Sequence, residues 1–251
     1  MAKDMPAKNN IERRQTDFKG RRIHFLKAGQ GPAVVLLHGG ASNSSEWIRT
    51  MTVGGDRYTF YAPDLPGFGE SDRDEHGYYL TDYTDFLIGF IDSLKLENPA
   101  LAGHSFGARI CIDTACRSKD NISKLVLIDA SGLGNMSLFG TVLFNFFTTA
   151  RKALRKPQPY PKFLSKEGVD WDYVGDEALK SIRAPTLLIW KSADPYLPLA
   201  IARRAARLIP GAELAVIGGY GHAPHQQNDN APFNRLLLEF LGRDGQETLN
   251  R

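Results

Sequence analysis

The chain has only two cysteines, Cys111 and Cys116. They stand five residues apart in one predicted helix and so fall on different faces. That argues against a disulfide or a metal clamp and suits a reducing compartment. No stretch of about 18 uncharged apolar residues occurs, so no membrane span is expected. The opening MAKDMPAKNN is polar, without the apolar core of a secretory signal, so no leader is expected. Neither charge dominates: 31 Lys and Arg stand against 28 Asp and Glu, a net +3 that gives no reason to expect a nucleic-acid or polyanion partner. Internal repeats and low-complexity tracts are absent too. These exclusions leave a cytoplasmic globular chain, and 42% hydrophobic content over 251 residues is enough for a sizeable core.

What is present is a rhythm. Short apolar runs, predicted as strands at Arg22–Lys27, Ala33–Leu37, Thr59–Ala62, Ala100–Ala102, Lys124–Ile128, Thr186–Trp190 and Glu213–Ile217, alternate with helical patterns. The helices are expected at about Leu80–Leu94, Phe106–Ser118, Leu199–Leu208 and Ala231–Leu241. AVVLL, KLVLI and TLLIW are nearly unbroken apolar runs, as expected of strands covered on both faces of a parallel sheet. The expected fold class is therefore α/β, a mostly parallel sheet with helices on both faces. Lys19-Gly20-Arg21 joins the first two strands as an antiparallel hairpin at one edge. Between Gly132 and Ala184 the rhythm breaks. An apolar helix, SLFGTVLFNFF, is followed by a basic segment, RKALRKPQPYPK, and a short polar helix. Residues 132–184 read as an inserted cap, with 1–131 and 185–251 forming the core domain.

The sharpest chemical signal is Gly103-His104-Ser105-Phe106-Gly107, which follows the strand Ala100–Ala102 and opens a helix. A serine hydroxyl is a poor nucleophile and needs both exposure and a base within hydrogen-bond reach. A strand-to-helix turn flanked by glycines supplies the exposure, because no Cβ clashes where the turn is tightest. Of the six histidines, His24, in what reads as an edge strand, and His76, in a polar loop, read as surface or packing residues. His38 is placed to brace loops, and the His104 side chain should point away from the serine's. That leaves His222 and His225, in the loop GGYGHAPH after the last strand; His222, at the strand end, is the preferred base. An acid must hold the base's tautomer. Asp194, after TLLIW, is the preferred candidate and Asp129, at the end of KLVLI, its rival. Two oxyanion donors are expected from the backbone of Phe106, at a helix N-terminus, and of Gly40, in the loop His38-Gly39-Gly40. No metal is expected: His222 and His225 lie in a loop without an obvious third ligand.

With these pieces in order the chain resembles the α/β-hydrolase superfamily over nearly its whole length. The run Asp64-Leu65-Pro66-Gly67-Phe68-Gly69-Glu70-Ser71 looks like that family's tight loop after its fourth strand, and APTLLIW with a following aspartate and GxGH also match. The resemblance implies an eight-stranded sheet, a cap over its C-terminal edge and no metal or organic cofactor. It places nucleophile, acid and base on Ser105, Asp194 and His222. The chain is most similar to the small, short-capped bacterial members with GHSFG, in which esterase-like activity is usual. Departures exist. Ser105 excludes the dehalogenases and epoxide hydrolases that use aspartate at that position. The carbon–carbon hydrolases of aromatic degradation usually carry Trp after the catalytic histidine, where this chain has Ala223. Ala108 stands where many members have a second glycine, and Trp190-Lys191 replaces the commoner Trp-Gly.

The expected activity is cleavage of a small carboxylic ester or related acyl bond by Ser-His-Asp catalysis, with a small-molecule acyl substrate and a monomer or homodimer. The same triad could act on a carbon–carbon bond, thioester, lactone or amide. A ligand sensor on the hydrolase fold is a further alternative, which would be labelled at Ser105 yet turn over negligibly. The apolar cap helix is expected to contact substrate through Phe139, Leu143 and Phe146 and to roof an apolar pocket, with its basic neighbours a solvated face. Binding of that helix to a membrane surface is the competing reading.

Overall fold

The central strands are the unbroken apolar runs. In the computed structural model, which describes residues 10–74, 77–118, 121–153 and 173–243, Ala33–Leu37 forms β3, Lys124–Ile128 β6 and Thr186–Ala193 β7. With β1 (Glu12–Phe18), β2 (Arg21–Gly29), β4 (Thr59–Pro63), β5 (Ala100–His104) and β8 (Glu213–Tyr220) they form one eight-stranded sheet, ordered β1-β2-β4-β3-β5-β6-β7-β8. β1 and β2 make the expected hairpin, and β2 is antiparallel to β4 as well. From β4 to β8 every pairing is parallel. His24 is therefore not on an edge strand: β1 is the edge, and β2 lies between it and β4.

Alternation along each inner strand sends side chains to two cores. Val35 and Leu37, Leu125 and Leu127, and Leu188 and Trp190 face one layer. They pack with α2 (Leu80–Ser93), α3 (Phe106–Arg117) and α6 (Leu199–Leu208). Val34 and Leu36, Val126 and Ile128, and Leu187 and Ile189 face the other, against α1 (Ile48–Gly54) and α7 (Ala231–Leu241). At about 25 cal/mol per Å² of apolar surface, two such layers supply the main drive to fold.

The segment between β6 and β7 holds α4 (Leu138–Ala153) and α5 (Asp176–Lys180). Its two ends belong to the core: Leu133, Val174, Leu179, Ile182 and Ala184 are buried in the same layer as α3. α4 is the predicted apolar helix, and it presents Leu138, Phe139, Val142 and Phe146 largely to solvent. Most of the basic segment, together with His76, lies outside the described residues. Cys111 is buried and Cys116 half-buried, and they are not joined. No helix among the described residues is long and apolar enough to cross a membrane.

Because β3 to β8 run parallel, their carboxyl ends share one edge of the sheet. Loops leaving β3, β5, β6, β7 and β8 converge there, where ligands bind in open α/β sheets. Those five ends carry Gly39 and Gly40, Ser105, Asp129, Asp194 and His222.

Candidate active site

Ser105 stands between β5 and α3 with φ 50° and ψ −109°, a backbone conformation that L-residues rarely adopt and that surrounding structure must enforce. The enforcement is visible. A Cβ on Gly107 would lie 2.5 Å from the Leu37 carbonyl oxygen and 2.6 Å from that of His38, and one on Gly103 would lie 2.5 Å from the backbone of Gly107 and Ala108. Both glycines are needed for close packing of turn, helix and β3 rather than for unusual dihedrals of their own. The Ser105 N–H donates to the Ile128 carbonyl, which anchors the turn to β6.

The three residues singled out from sequence come together. Ser105 Oγ lies 2.9 Å from His222 Nε2, and His222 Nδ1 lies 2.7 Å from Asp194 Oδ2. The other Asp194 oxygen accepts from the N–H groups of Tyr196 and Leu197, at 2.7 and 3.0 Å. With its carboxylate occupied on both sides, His222 carries its proton on Nδ1 and turns a bare Nε2 to the serine hydroxyl. Burial lowers the His222 pKa, against the hydrogen bond to Asp194, so the ring is neutral at neutral pH. Asp129 is elsewhere engaged: its Oδ1 accepts from the Lys191 N–H, and Oδ2 has no hydrogen-bond partner.

The two residues expected to donate to the oxyanion lie close together across the turn. A Cβ on Gly40 would come within 3.9 Å of the Phe106 Cβ, and Phe106 opens α3, where helical N–H groups point outward. The loop before Gly40 is held from below. His38 Nδ1 donates to the Gly39 carbonyl, and its Nε2 accepts from the Leu65 N–H. That is the bracing role expected of His38, whose pKa burial lowers. Asp64 in turn organises the Asp64–Ser71 loop. Its carboxylate accepts from the N–H groups of Ser44 and Glu70 and contacts His24, which is buried rather than at the surface. Burial opposes charge on Asp64, but the Glu70 and Ser44 N–H groups outweigh it and hold the carboxyl below its ordinary range. Gly69, at φ +52°, has no room for a side chain: its Cβ would collide with the Asp64 carboxylate.

Of the expected substrate contacts, Phe139 reaches the site through a residue not singled out from sequence. Its ring centroid is 6.2 Å from that of Tyr196, which lies 5.1 Å from the His222 ring. Leu143 is half-buried, and Phe146 remains 64% exposed.

Two other features escaped the sequence. Lys191 is buried, and its ammonium donates to the Gly218 carbonyl and to Gln227 Oε1, so it ties β8 to the loop bearing His222. That accounts for lysine after Trp190. His225 is not isolated from other ligand-type groups as its loop position suggested. Glu46, His104 and His225 offer ligand-type atoms within 4.8 Å of one another, as do Asp129, Asp194 and His222. Glu46 sits in a short turn, Ser44–Trp47, and only the folded chain shows that it is buried.

Comparison with known proteins defines the family. The alpha/beta hydrolase family model matches residues 34–236, and the chain belongs to that family. It is similar to a 2-hydroxy-6-oxo-6-phenylhexa-2,4-dienoate hydrolase of Burkholderia cepacia, 29% identical over 88% of this chain and 91% of that one. A solved meta-cleavage product hydrolase from Pseudomonas fluorescens IP01 superposes with a TM-score of 0.74 at 28% identity, covering 88% of this chain and 94% of its own. A carboxylesterase from Bacillus subtilis shares the fold, with a TM-score of 0.79 at 20% identity over 93% and 92% of the two chains. The protein is accordingly a hydrolase.

Proposed function

We propose that this protein is a cytoplasmic serine hydrolase that cleaves a small carboxylic ester or related acyl bond through an acyl-enzyme on Ser105. The observation that carries the reading is the continuous chain Ser105 Oγ, His222, Asp194, at 2.9 and 2.7 Å, at the convergence of five loops. In this mechanism Ser105 Oγ attacks the carbonyl carbon while its proton passes to His222 Nε2. Asp194 stabilises the imidazolium without taking the proton. The N–H groups of Phe106 and Gly40 receive the oxyanion, each worth about 3–4 kcal/mol in the transition state. The alcohol leaves with the proton from His222. Water, deprotonated by the same ring, then releases the acid and restores Ser105.

The acyl group is assigned to the side of Tyr196 and the α4 residues Phe139, Leu143 and Phe146, with residues between 132 and 184 as a cap. The test is covalent labelling by a fluorophosphonate together with steady-state turnover of activated esters. Labelling should vanish in Ser105→Ala, and kcat should fall by about four to six orders of magnitude. A loss below tenfold would end the reading, and labelling with negligible ester turnover would favour a sensor.

The similarity to meta-cleavage product hydrolases favours a second reading, in which the same triad hydrolyses a carbon–carbon bond. Ala223 in place of Trp after His222 weighs against it. Assay of a vinylogous 1,5-diketone acid beside the esters separates the two.

A further inference from the structure

Behind the catalytic histidine lies a second set of buried ionisable groups that the mechanism above does not use. Glu46 is at its centre, its side chain 1% exposed. The Gly39 N–H and His225 Nε2 approach its Oε1 at 3.3 and 3.2 Å, and Gln226 Nε2 donates to Oε2 at 3.1 Å. The Gly39 N–H and the Gln226 amide can only donate, and against the effect of burial His104 and His225 hold the carboxyl well below the usual carboxylate range. A buried carboxylate requires a counter-charge. His225 does not provide it: burial pushes that ring down to about 4, and it lies stacked on Trp47 with centroids 4.3 Å apart.

His104 does. Its Nε2 lies 2.8 Å from the His222 carbonyl oxygen and must therefore carry a hydrogen. Its Nδ1 lies 3.4 Å from Glu46 Oε1, at ion-pair distance, and makes no hydrogen bond. A bare lone pair there would face a carboxylate, whereas an N–H completes an ion pair. Burial works against the charged ring, but Glu46 reverses that and raises the His104 pKa.

We propose that Glu46 is a positioning residue that keeps His104 positively charged, and that this buried pair clamps the oxyanion loop, the nucleophile turn and the His222 loop while holding the catalytic base neutral. The clamp is the set of hydrogen bonds just given together with the His104–Glu46 ion pair, which reach Gly39, the His222 carbonyl, His225 and Gln226. The electrostatic part follows from the 5.0 Å separation of the His104 and His222 rings. A cation so placed opposes a second proton on His222, and Glu46 opposes it in turn with the smaller effect. The other titratable groups facing His104 are His225 and Asp129, with His38 coupled to it from the end of β3. At neutral pH burial keeps Asp129 protonated and His38 and His225 uncharged, which leaves Glu46 and His104 as the charged pair.

This inference rests on His222 being the base, and its test separates the two ideas. Nitrogen-15 spectra of the imidazoles should show both His104 nitrogens protonated at pH 7.5 in the wild-type protein and one of them bare in Glu46→Gln. A neutral wild-type His104 overturns the proposal whatever the activity. In Glu46→Gln, kcat/KM should fall about 10- to 100-fold, the scale on which small misplacements of reacting groups act. Its acid limb should also move to higher pH, because the cation beside His222 is gone. Glu46→Asp should keep His104 charged and the acid limb in place even if the rate drops. Equal loss at every pH with an unmoved limb would make Glu46 merely structural and overturn the proposal. Should Glu46→Gln fail to fold, the wild-type spectrum and Glu46→Asp still decide. Failure of the triad reading shows up separately, as activity surviving in Ser105→Ala.

Discussion

The Lys191 N–H donates to Asp129 Oδ1 at 2.9 Å, so the carboxyl at the tip of β6 is bound to β7, while the imidazole near it is held by Asp194. Two acids that are rivals in the sequence therefore have different electrostatic states. Asp194 accepts from His222 and two backbone N–H groups. Burial raises Asp129 to about 8, and it is uncharged at neutral pH.

Asp194→Asn should accordingly lower kcat by about 10⁴, because an amide stabilises the wrong tautomer of His222. Asp129→Asn, which mimics the protonated acid, should cost less than about tenfold. Steady-state kinetics of the two variants checks the order, and the reverse ranking would move the acid to Asp129.

Stability should depend on pH through two buried groups with opposite signs. Asp129 is raised from 3.8 to about 8, so its contribution is full below about pH 4 and is lost as pH rises through 8. His225 is lowered from 6.5 to about 4, so its contribution is present above 6.5 and is lost as pH falls through 4. Between pH 4 and 6.5 the two slopes oppose. From 6.5 to 8 Asp129 acts together with His104, whose pKa is raised from 6.5, and stability should fall with pH. In Asp129→Asn that fall should shrink and a rise from pH 4 to 6.5 should emerge. Urea titrations at several pH values measure both.

The glycines divide into those with neighbours and those without. Gly107→Ala drives a methyl into the carbonyls of Leu37 and His38 and should cost roughly 1–3 kcal/mol or more, along with most of the activity. Gly218→Ala meets nothing within 4 Å and should be nearly silent in Tm. Thermal melts of the pair test whether the nucleophile turn is held by packing.

Substrate length should be read by the apolar side of the site. Each CH₂ buried against Tyr196 and α4 gains about 0.8 kcal/mol, roughly fourfold in kcat/KM. Activity should rise from acetyl to about butyryl or hexanoyl esters and then fall, and Tyr196→Ala should flatten the rise. An acyl chain ending in a carboxylate should be poor; if it is preferred, the apolar assignment fails.

The inner strands and the parallel core were legible because burial on both faces leaves apolar runs such as KLVLI and TLLIW that nothing else explains. Ser105, Asp194 and His222 were legible because glycine spacing and strand ends mark them, and they stand within hydrogen-bond reach. α1 was not legible. Its seven residues, IRTMTVG, are β-branched or glycine at five positions and too few to show a period, so tertiary packing of Met51 makes the helix. Glu46 and Lys191 were missed for a different reason. A charged residue reads as surface, and only the folded chain shows that each is nearly sealed and what it bonds.

The strand that delivers His222 is an edge of the sheet. Among the described residues β8 pairs only with β7, through a register shift near Lys191, and all of its residues are half-buried or exposed. Ser105, by contrast, hangs from β5 in the fully buried interior. One reacting group is thus mounted on an exposed edge strand and the other in the protected interior. Fraying of β8 alone would carry the base away while both cores stay intact. Enzyme activity should then fade at denaturant concentrations where the far-ultraviolet circular dichroism is still native, and amide hydrogens of β8 should exchange ahead of those of β5. The Lys191 tether to Gly218 and Gln227 is the buried contact that opposes such fraying.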